Sequence, residues 1–317
     1  MKNPVINTEY FDIQRKIVAN MTSQSWHDVP HVTYLYEADA SDLLTVLRLG
    51  NADRPKDKHV SVNTLALKLI AEGLKAAPAM NAHIRFNRDL VRGEIDTLQR
   101  VDISVPMKLP NGKMMTVTVP DCGNRSLDGL ADYVKDVRRR ALNTDLNEAM
   151  YEVSLRDSLK EVRRGHVLTA LKRLLGSKFG KHRIHNLHGE DKKRYYAIPA
   201  TERLTADDLE QGSVTVSNLG SVCRNPHGTP GLIEIVPPQV CAIAVGALCE
   251  KPVVRTDASG KKRIDVGTVL PLSICFDHRA LDFGDIVPFI ERLDALFASP
   301  ETLLEWMGET KDATEVA

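Results

Sequence analysis

Three side chains able to take, hold and balance a proton fall within five residues: His278, Arg279 and Asp282. They follow the apolar run 269–276, which reads as a buried strand. General-base catalysis needs a group whose pKa lies near working pH and a second group that orients it. A histidine just past a strand end is held stiffly and still faces a cleft. A carboxylate four residues on can fix its ring or anchor the turn. A hydroxyl also stands at a strand end, where Val214-Thr-Val-Ser217 runs into Asn218-Leu-Gly220. Both patterns fit structural roles too: an ion pair closing a turn, and a Ser-Asn turn.

The elements that must position these groups can be read from periodicity. Residues 11–26 carry Ile13, Ile17, Val18 and Met21 at helical spacing, and 29–36 reads as a strand, with Pro30-His31 fixing its start. Ser41 or Asp42 caps a short helix to Leu47, and residues 61–77 form an amphipathic helix ended by Pro78. Strands are expected at 83–86, 89–92, 101–107 and 114–119, with a hairpin turn at Asn111-Gly112. Ser126 caps a helix to about Arg140. Beyond Val214–Ser217, Cys241 begins an apolar strand, residues 251–263 form a hairpin around Gly260, and Phe289, Ile290, Leu293 and Leu296 line a last core helix.

Composition excludes several classes. With 43% hydrophobic and 26% charged residues the 317-residue chain is that of a globular protein. Lys plus Arg equals Asp plus Glu at 42 each, so no overall field favours nucleic acid. No apolar run reaches the roughly 18 residues of a transmembrane segment, and the N-terminus lacks the apolar core of a signal peptide. Five cysteines, none in a C-x-x-C pair, argue against a disulfide framework and suit a reducing, cytoplasmic setting. Between residues 151 and 196 there are twelve Lys or Arg against five Asp or Glu. Val162, His166, Val167, Ala170, Leu171, Leu174 and Leu175 there predict a helix with one apolar and one basic face. It suits a solvated helix packed on a neighbour, a lid or basic surface attracting phosphates, or a membrane surface. His182, His185 and His188 are spaced by three but lack a fourth ligand, so no metal is expected.

The stretch from Ser273 to Asp282 resembles the His-Arg-x-x-Asp-Gly signature of the acyltransferase cores of 2-oxo acid dehydrogenase complexes, whose fold family includes chloramphenicol acetyltransferase. Phe283 stands where that family has Gly. Other stretches resemble the same family in the same order. They are Arg15-Lys-Ile-x-x-x-Met with Val29-Pro-His-Val-Thr, Met80-Asn-Ala, Leu204 through Gly220, and Pro237-Pro-Gln-Val-Cys-Ala-Ile-Ala-Val-Gly246. Together they span roughly residues 10–140 and 200–306.

The resemblance implies an α/β fold, a chloramphenicol acetyltransferase-like two-layer sandwich with a mixed sheet. It implies a catalytic core over 1–310, with a basic helical insertion at about 142–196 and a tail at 311–317. It implies transfer of an acyl group between coenzyme A and a thiol such as dihydrolipoamide. His278 would be the general base, Ser217 the oxyanion donor, and Asp282 the residue steadying the site. Arg279 and Asn218 would support substrate or structure, and Arg15 is a candidate partner for Asp282. Base and serine would meet across a subunit interface in a homotrimer or higher assembly. No lipoyl or peripheral subunit-binding domain is recognisable, so a lipoyl arm is expected to act in trans. A catalytically silent scaffold and a small-molecule O-acetyltransferase are the competing readings.

Overall fold

The computed structural model describes residues 3–108, 112, 114–163, 183–184, 186–223, 228–257 and 259–308. Two compact units emerge, Met1–Ser23 with Val137–Glu210 and Gln24–Asp136 with Gln211–Ala317. In chain order the elements are α1 (Ile13–Asp28), β1 (His31–Asp39), α2 (Ser41–Ala52), α3 (Val62–Ala76), β2 (Ala82–Asn87), β3 (Arg92–Thr97), β4 (Ile103–Lys108) and β5 (Met114–Val119). Then follow α4 (Leu127–Leu142), α5 (Leu146–Arg163), α6 (Gly189–Ala197), β6 (Val214–Asn218), β7 (Cys241–Val245), β8 (Cys249–Thr256), β9 (Lys262–Asp277), α7 (Phe283–Ala298) and α8 (Thr302–Trp306). Capping side chains set two helix starts: Ser61 Oγ accepts from the Thr64 N–H and Ser126 Oγ from the Gly129 N–H. At α2 the work falls to Asp39 instead of Ser41 or Asp42. Its carboxylate accepts from both the N–H and the hydroxyl of Ser41.

In the second unit the strand order is β1-β9-β7-β6-β4-β5, with β8 paired to β9. The β4–β6 and β6–β7 pairs are parallel and the rest antiparallel, so the sheet is mixed. Its central strands are buried on both faces, which is why β7 and the end of β9 read as unbroken apolar runs. Alternation still sorts their side chains. Ile243, Leu272, Ile274 and Phe276 join the core with Leu65, Ile70, Leu74, Phe289 and Leu293 from α3 and α7. Ala242 and Cys275 point the other way, into a smaller cluster with Val29 and Ile235. Residues 228–236 run along that second face. The Ser273 hydroxyl donates to the Pro230 carbonyl, and the Ile233 N–H donates to Cys275 Sγ at 3.4 Å. Helices α3 and α7 approach closely at Gly73, where a Cβ would come within 2.6 Å of the Phe289 ring.

The β2–β3 hairpin departs from expectation. Its second strand is Arg92–Thr97, not 89–92. Leu90 and Val91 look strand-like but lie in the turn, where Asn87 Oδ1 accepts from the Leu90 N–H and Val91 takes φ 49°. The true second strand is polar, and Arg85 bonds Glu94 at 2.6 Å and Asp96 at 2.5 Å across the pair. The Asn111 half of the predicted hairpin turn lies outside the described residues; Gly112 takes φ 81°.

Under α3 an ionic cluster is buried. Lys68 Nζ lies 3.0 Å from the Glu72 carboxylate and donates to the Gly123 carbonyl at 2.9 Å, while Lys75 and Arg292 reach Glu72 at 3.3 and 3.5 Å. Burial pushes the Glu72 carboxyl up, but Lys68 and then Lys75 more than offset it, and its pKa falls below the ordinary value. The stability so gained is present above the unfolded-state pKa and lost as pH falls through the lower folded one. Glu72→Gln is expected to cost about 3 kcal/mol at pH 7, because it strands a buried ammonium. That cost should shrink at acid pH, below the lowered folded-state pKa of Glu72, where the wild-type carboxyl itself protonates. Urea unfolding at the two pH values checks this.

The first unit carries its own buried polar centre. Glu148, fully buried, accepts from the Tyr196 hydroxyl at 3.0 Å and pairs with Lys192 at 2.9 Å. Arg140 grips Asp208 with two bonds of 2.9 Å. The expected basic helix beyond Arg163, and with it His166, His182 and His185, lies outside the described residues.

Candidate active site

The turn after β9 is built around a carboxylate that sequence reasoning passed over. Asp277 ends the strand fully buried, and its backbone N–H donates to the Val240 carbonyl at 2.9 Å. Its side chain accepts from the Arg279 backbone N–H at 2.9 Å, from Nε at 3.0 Å and from Nη2 at 2.7 Å. Its carbonyl accepts from the N–H groups of Ala280 and Leu281. Arg279 therefore closes the turn, with its guanidinium 5.8 Å from the centre of the Phe86 ring. An acid at the end of an apolar strand must find a partner or stay unpaired in the interior, and that was the signal available.

His278 sits on this frame. Its N–H donates to the Pro30 carbonyl of the neighbouring chain segment at 3.1 Å. Its Nδ1 lies 3.0 Å from the Leu281 carbonyl oxygen and 3.4 Å from Asp282 Oδ1. A carbonyl can only accept, so Nδ1 carries a proton, and in the neutral ring the lone pair is then on Nε2. The side chain is half exposed. The ring is held in the orientation a base requires.

Asp282 is not the buried anchor. Its side chain is 82% exposed, and it starts α7, where its backbone N–H donates to Asp285 Oδ2 at 2.7 Å. Arg15 is exposed in α1, in the first unit, and its own N–H donates to Asp12. The buried carboxylate, Asp277, pairs with Arg279. Asp277→Ala should therefore destabilise the fold by about 3 kcal/mol or more, by orphaning a guanidinium. Asp282→Ala should cost only about 1 kcal/mol, the value of a helix cap. Denaturant titrations of the two variants check the order.

Phe283 is the first residue of α7 and has no positive φ, so the turn forms without a glycine there. His31 is structural. Its Nε2 accepts from the Ile235 N–H at 3.1 Å and lies 3.2 Å from Ser25 Oγ.

Ser217 and Asn218 end β6. Asn218 Oδ1 accepts from the Ser221 N–H at 3.0 Å, and its Nδ2 donates to Asn63 Oδ1 at 3.0 Å. No local pattern announced the Asn63 contact. Gly220 lets this turn lie on the end of β7: a Cβ there would come within 2.8 Å of Ala247 Cα and of the Gly246 carbonyl. Ser217 alternates away from Val216, so it faces the side of the sheet opposite the helices.

Within one chain Ser217 and His278 do not meet. Ser217 is level with Ala244 of β7, and Ala244 with Ser273 of β9. His278 lies five residues beyond Ser273, so the two are separated by about 17 Å along the strands and about 10 Å across them. Ser217 stands at one end of these strands and His278 at the other. The structure brings His278, Arg279, Asp277 and Asp282 together, and Ser217 with Asn218, as two half-sites.

The family model for 2-oxoacid dehydrogenases acyltransferase (catalytic domain) matches residues 3–153 and 192–305. Among curated proteins, the dihydrolipoyllysine-residue acetyltransferase component of the pyruvate dehydrogenase complex of Rickettsia felis is 22% identical over 92% of this chain and 53% of that protein. The counterpart from Haemophilus influenzae is 25% identical over 91% of this chain and 39% of that protein. The chain thus spans about half or less of the length of these relatives. Among solved structures, the cubic core of the pyruvate dehydrogenase multienzyme complex superposes with a TM-score of 0.63 at 20% identity, covering 96% of this chain and 99% of that one. Dihydrolipoamide acetyltransferase of Azotobacter vinelandii gives 0.62 at 21%, with the same coverage. The mixed-sheet α/β fold expected from the sequence is the fold found. The chain belongs to the family of 2-oxoacid dehydrogenase acyltransferase catalytic domains.

Proposed function

We propose that the chain is a coenzyme A-dependent acyltransferase, moving an acyl group between coenzyme A and a thiol of the dihydrolipoyl type. The observation that carries this reading is the imidazole of His278, with Nδ1 committed to the Leu281 carbonyl and Nε2 left to act as base. Nε2 takes the proton of the acceptor thiol, and the thiolate attacks the thioester carbon. The carbonyl oxygen becomes an oxyanion, to which the Ser217 hydroxyl donates. The bond from carbon to the sulfur of coenzyme A then breaks, and the departing thiolate takes back the proton held on His278. Asp282 steadies the imidazole from 3.4 Å. Arg279 and Asn218 hold the two backbones in place and touch no reacting atom.

Because the two half-sites lie at opposite ends of the strands of one sheet, each complete site joins His278 of one protomer to Ser217 of the next. A homotrimer is the smallest closed ring with heterologous contacts beyond a dimer, and the relatives named above include a cubic core. The lipoyl arm is a partner acting in trans. The basic helical insertion expected at about 142–196 is supported by residues 154–191, which the family model leaves unmatched.

The test is direct. Purified protein with acetyl-coenzyme A and free dihydrolipoamide should yield acetyl-dihydrolipoamide and coenzyme A. Transfer to simple alcohols but not to dithiols would favour an O-acetyltransferase instead. No transfer to any acceptor, from a stable assembly, would favour a scaffold.

A further inference from the structure

The ring of Phe283 stands edge-on to Phe276, with centroids 5.4 Å apart and planes at 82°. Phe276 meets the imidazole of His278 in the same manner, at 5.9 Å and 76°. Phe276 is fully buried, whereas Phe283 remains 52% exposed and the His278 side chain 46%. One buried ring therefore braces two half-exposed rings, the phenyl and the imidazole. The local fold does not require that phenyl. Asp282 and Asp285 start α7 without it, and it adds nothing to the fully buried core.

We infer that Phe283 is a specificity-determining residue, whose ring walls the space beside His278 and restricts the transferred group to small acyl chains, acetyl above branched ones. This rests on the acyl-transfer reading above. A thiol in contact with Nε2 must lie about 3–3.5 Å from the thioester carbon it attacks. The substituent on that carbon therefore projects beside the imidazole, and the phenyl is braced on the same buried Phe276 ring as that imidazole. A packed aromatic ring yields little, and each methylene that a site excludes or admits changes relative rates about 10- to 200-fold.

The experiment compares kcat/KM for acetyl- and isobutyryl-coenzyme A, with free dihydrolipoamide as acceptor. It uses the full chain in its native assembly, as wild type, Phe283→Leu and Phe283→Gly. The isobutyryl-to-acetyl ratio should rise at least about tenfold in Phe283→Gly and by a smaller factor in Phe283→Leu. Phe283→Leu keeps an apolar contact for Phe276, so it decides the matter alone should Phe283→Gly fail to fold by thermal melting. Ratios within twofold of wild type in the folded variants, with acetyl transfer retained, would overturn the inference and leave the acyltransferase reading standing. Absence of transfer of either acyl group by the wild type would remove both.

Discussion

His278→Ala is expected to lower acyl transfer by about a thousandfold, the middle of the range for losing a positioned general base. The thiolate is the nucleophile, and at neutral pH a free thiol with a pKa near 8.5 supplies only a few per cent of it. Without Nε2 the reaction must wait for that fraction, and the departing thiolate has no proton donor beside it. The loss should appear in kcat, with little change in KM, because the imidazole meets only the reacting sulfur. Stability should hardly move. The side chain is half exposed, and the turn is clamped by Asp277, Arg279 and the Pro30 carbonyl whether or not the ring is present. Steady-state kinetics beside a melting curve checks both statements. Unchanged activity in a folded His278→Ala variant would remove the base from the account.

Ser217→Ala should cost about a hundred- to a thousandfold in kcat, the range for deleting one oxyanion donor. The hydroxyl is placed by backbone alone: β6 in register with β7, and Gly220 packed on Gly246 and Ala247. Removing one oxygen disturbs none of this, so the loss should again fall on kcat with the fold intact. Ser217→Thr, which keeps the donor, should retain more activity than Ser217→Ala. Equal losses in the two would point to a packing role.

Much of the fold was legible because burial leaves a mark on sequence. The central strands read as unbroken apolar runs since both of their faces are covered. Ser61 and Ser126 announced helices that they do cap. The β2–β3 hairpin was misplaced because Leu90 and Val91 carry the composition of a strand but sit in its turn. The strand that follows is held by Arg85, Glu94 and Asp96, whose pairing leaves no periodic signal. At the site, the residue types near His278 were informative and their division of labour was not. Two acids flank it, and only packing decides that Asp277 is the buried partner of Arg279 while Asp282 caps a helix in solvent. The separation of Ser217 from His278 follows from strand register, which no local motif encodes.

The convergence of two half-sites across protomers is tested most directly by mixing two dead chains. His278→Ala and Ser217→Ala chains, carrying different tags, would be co-expressed and the mixed assemblies isolated through both tags. If each site takes its base from one protomer and its oxyanion donor from the next, every trimer holding both variants has about one site in three with both groups intact, a consequence of heterologous contacts. Activity should then return to about a third of wild type, far above either variant alone. Mixed assemblies no more active than the single variants would contradict the account, because base and donor would then have to belong to the same chain.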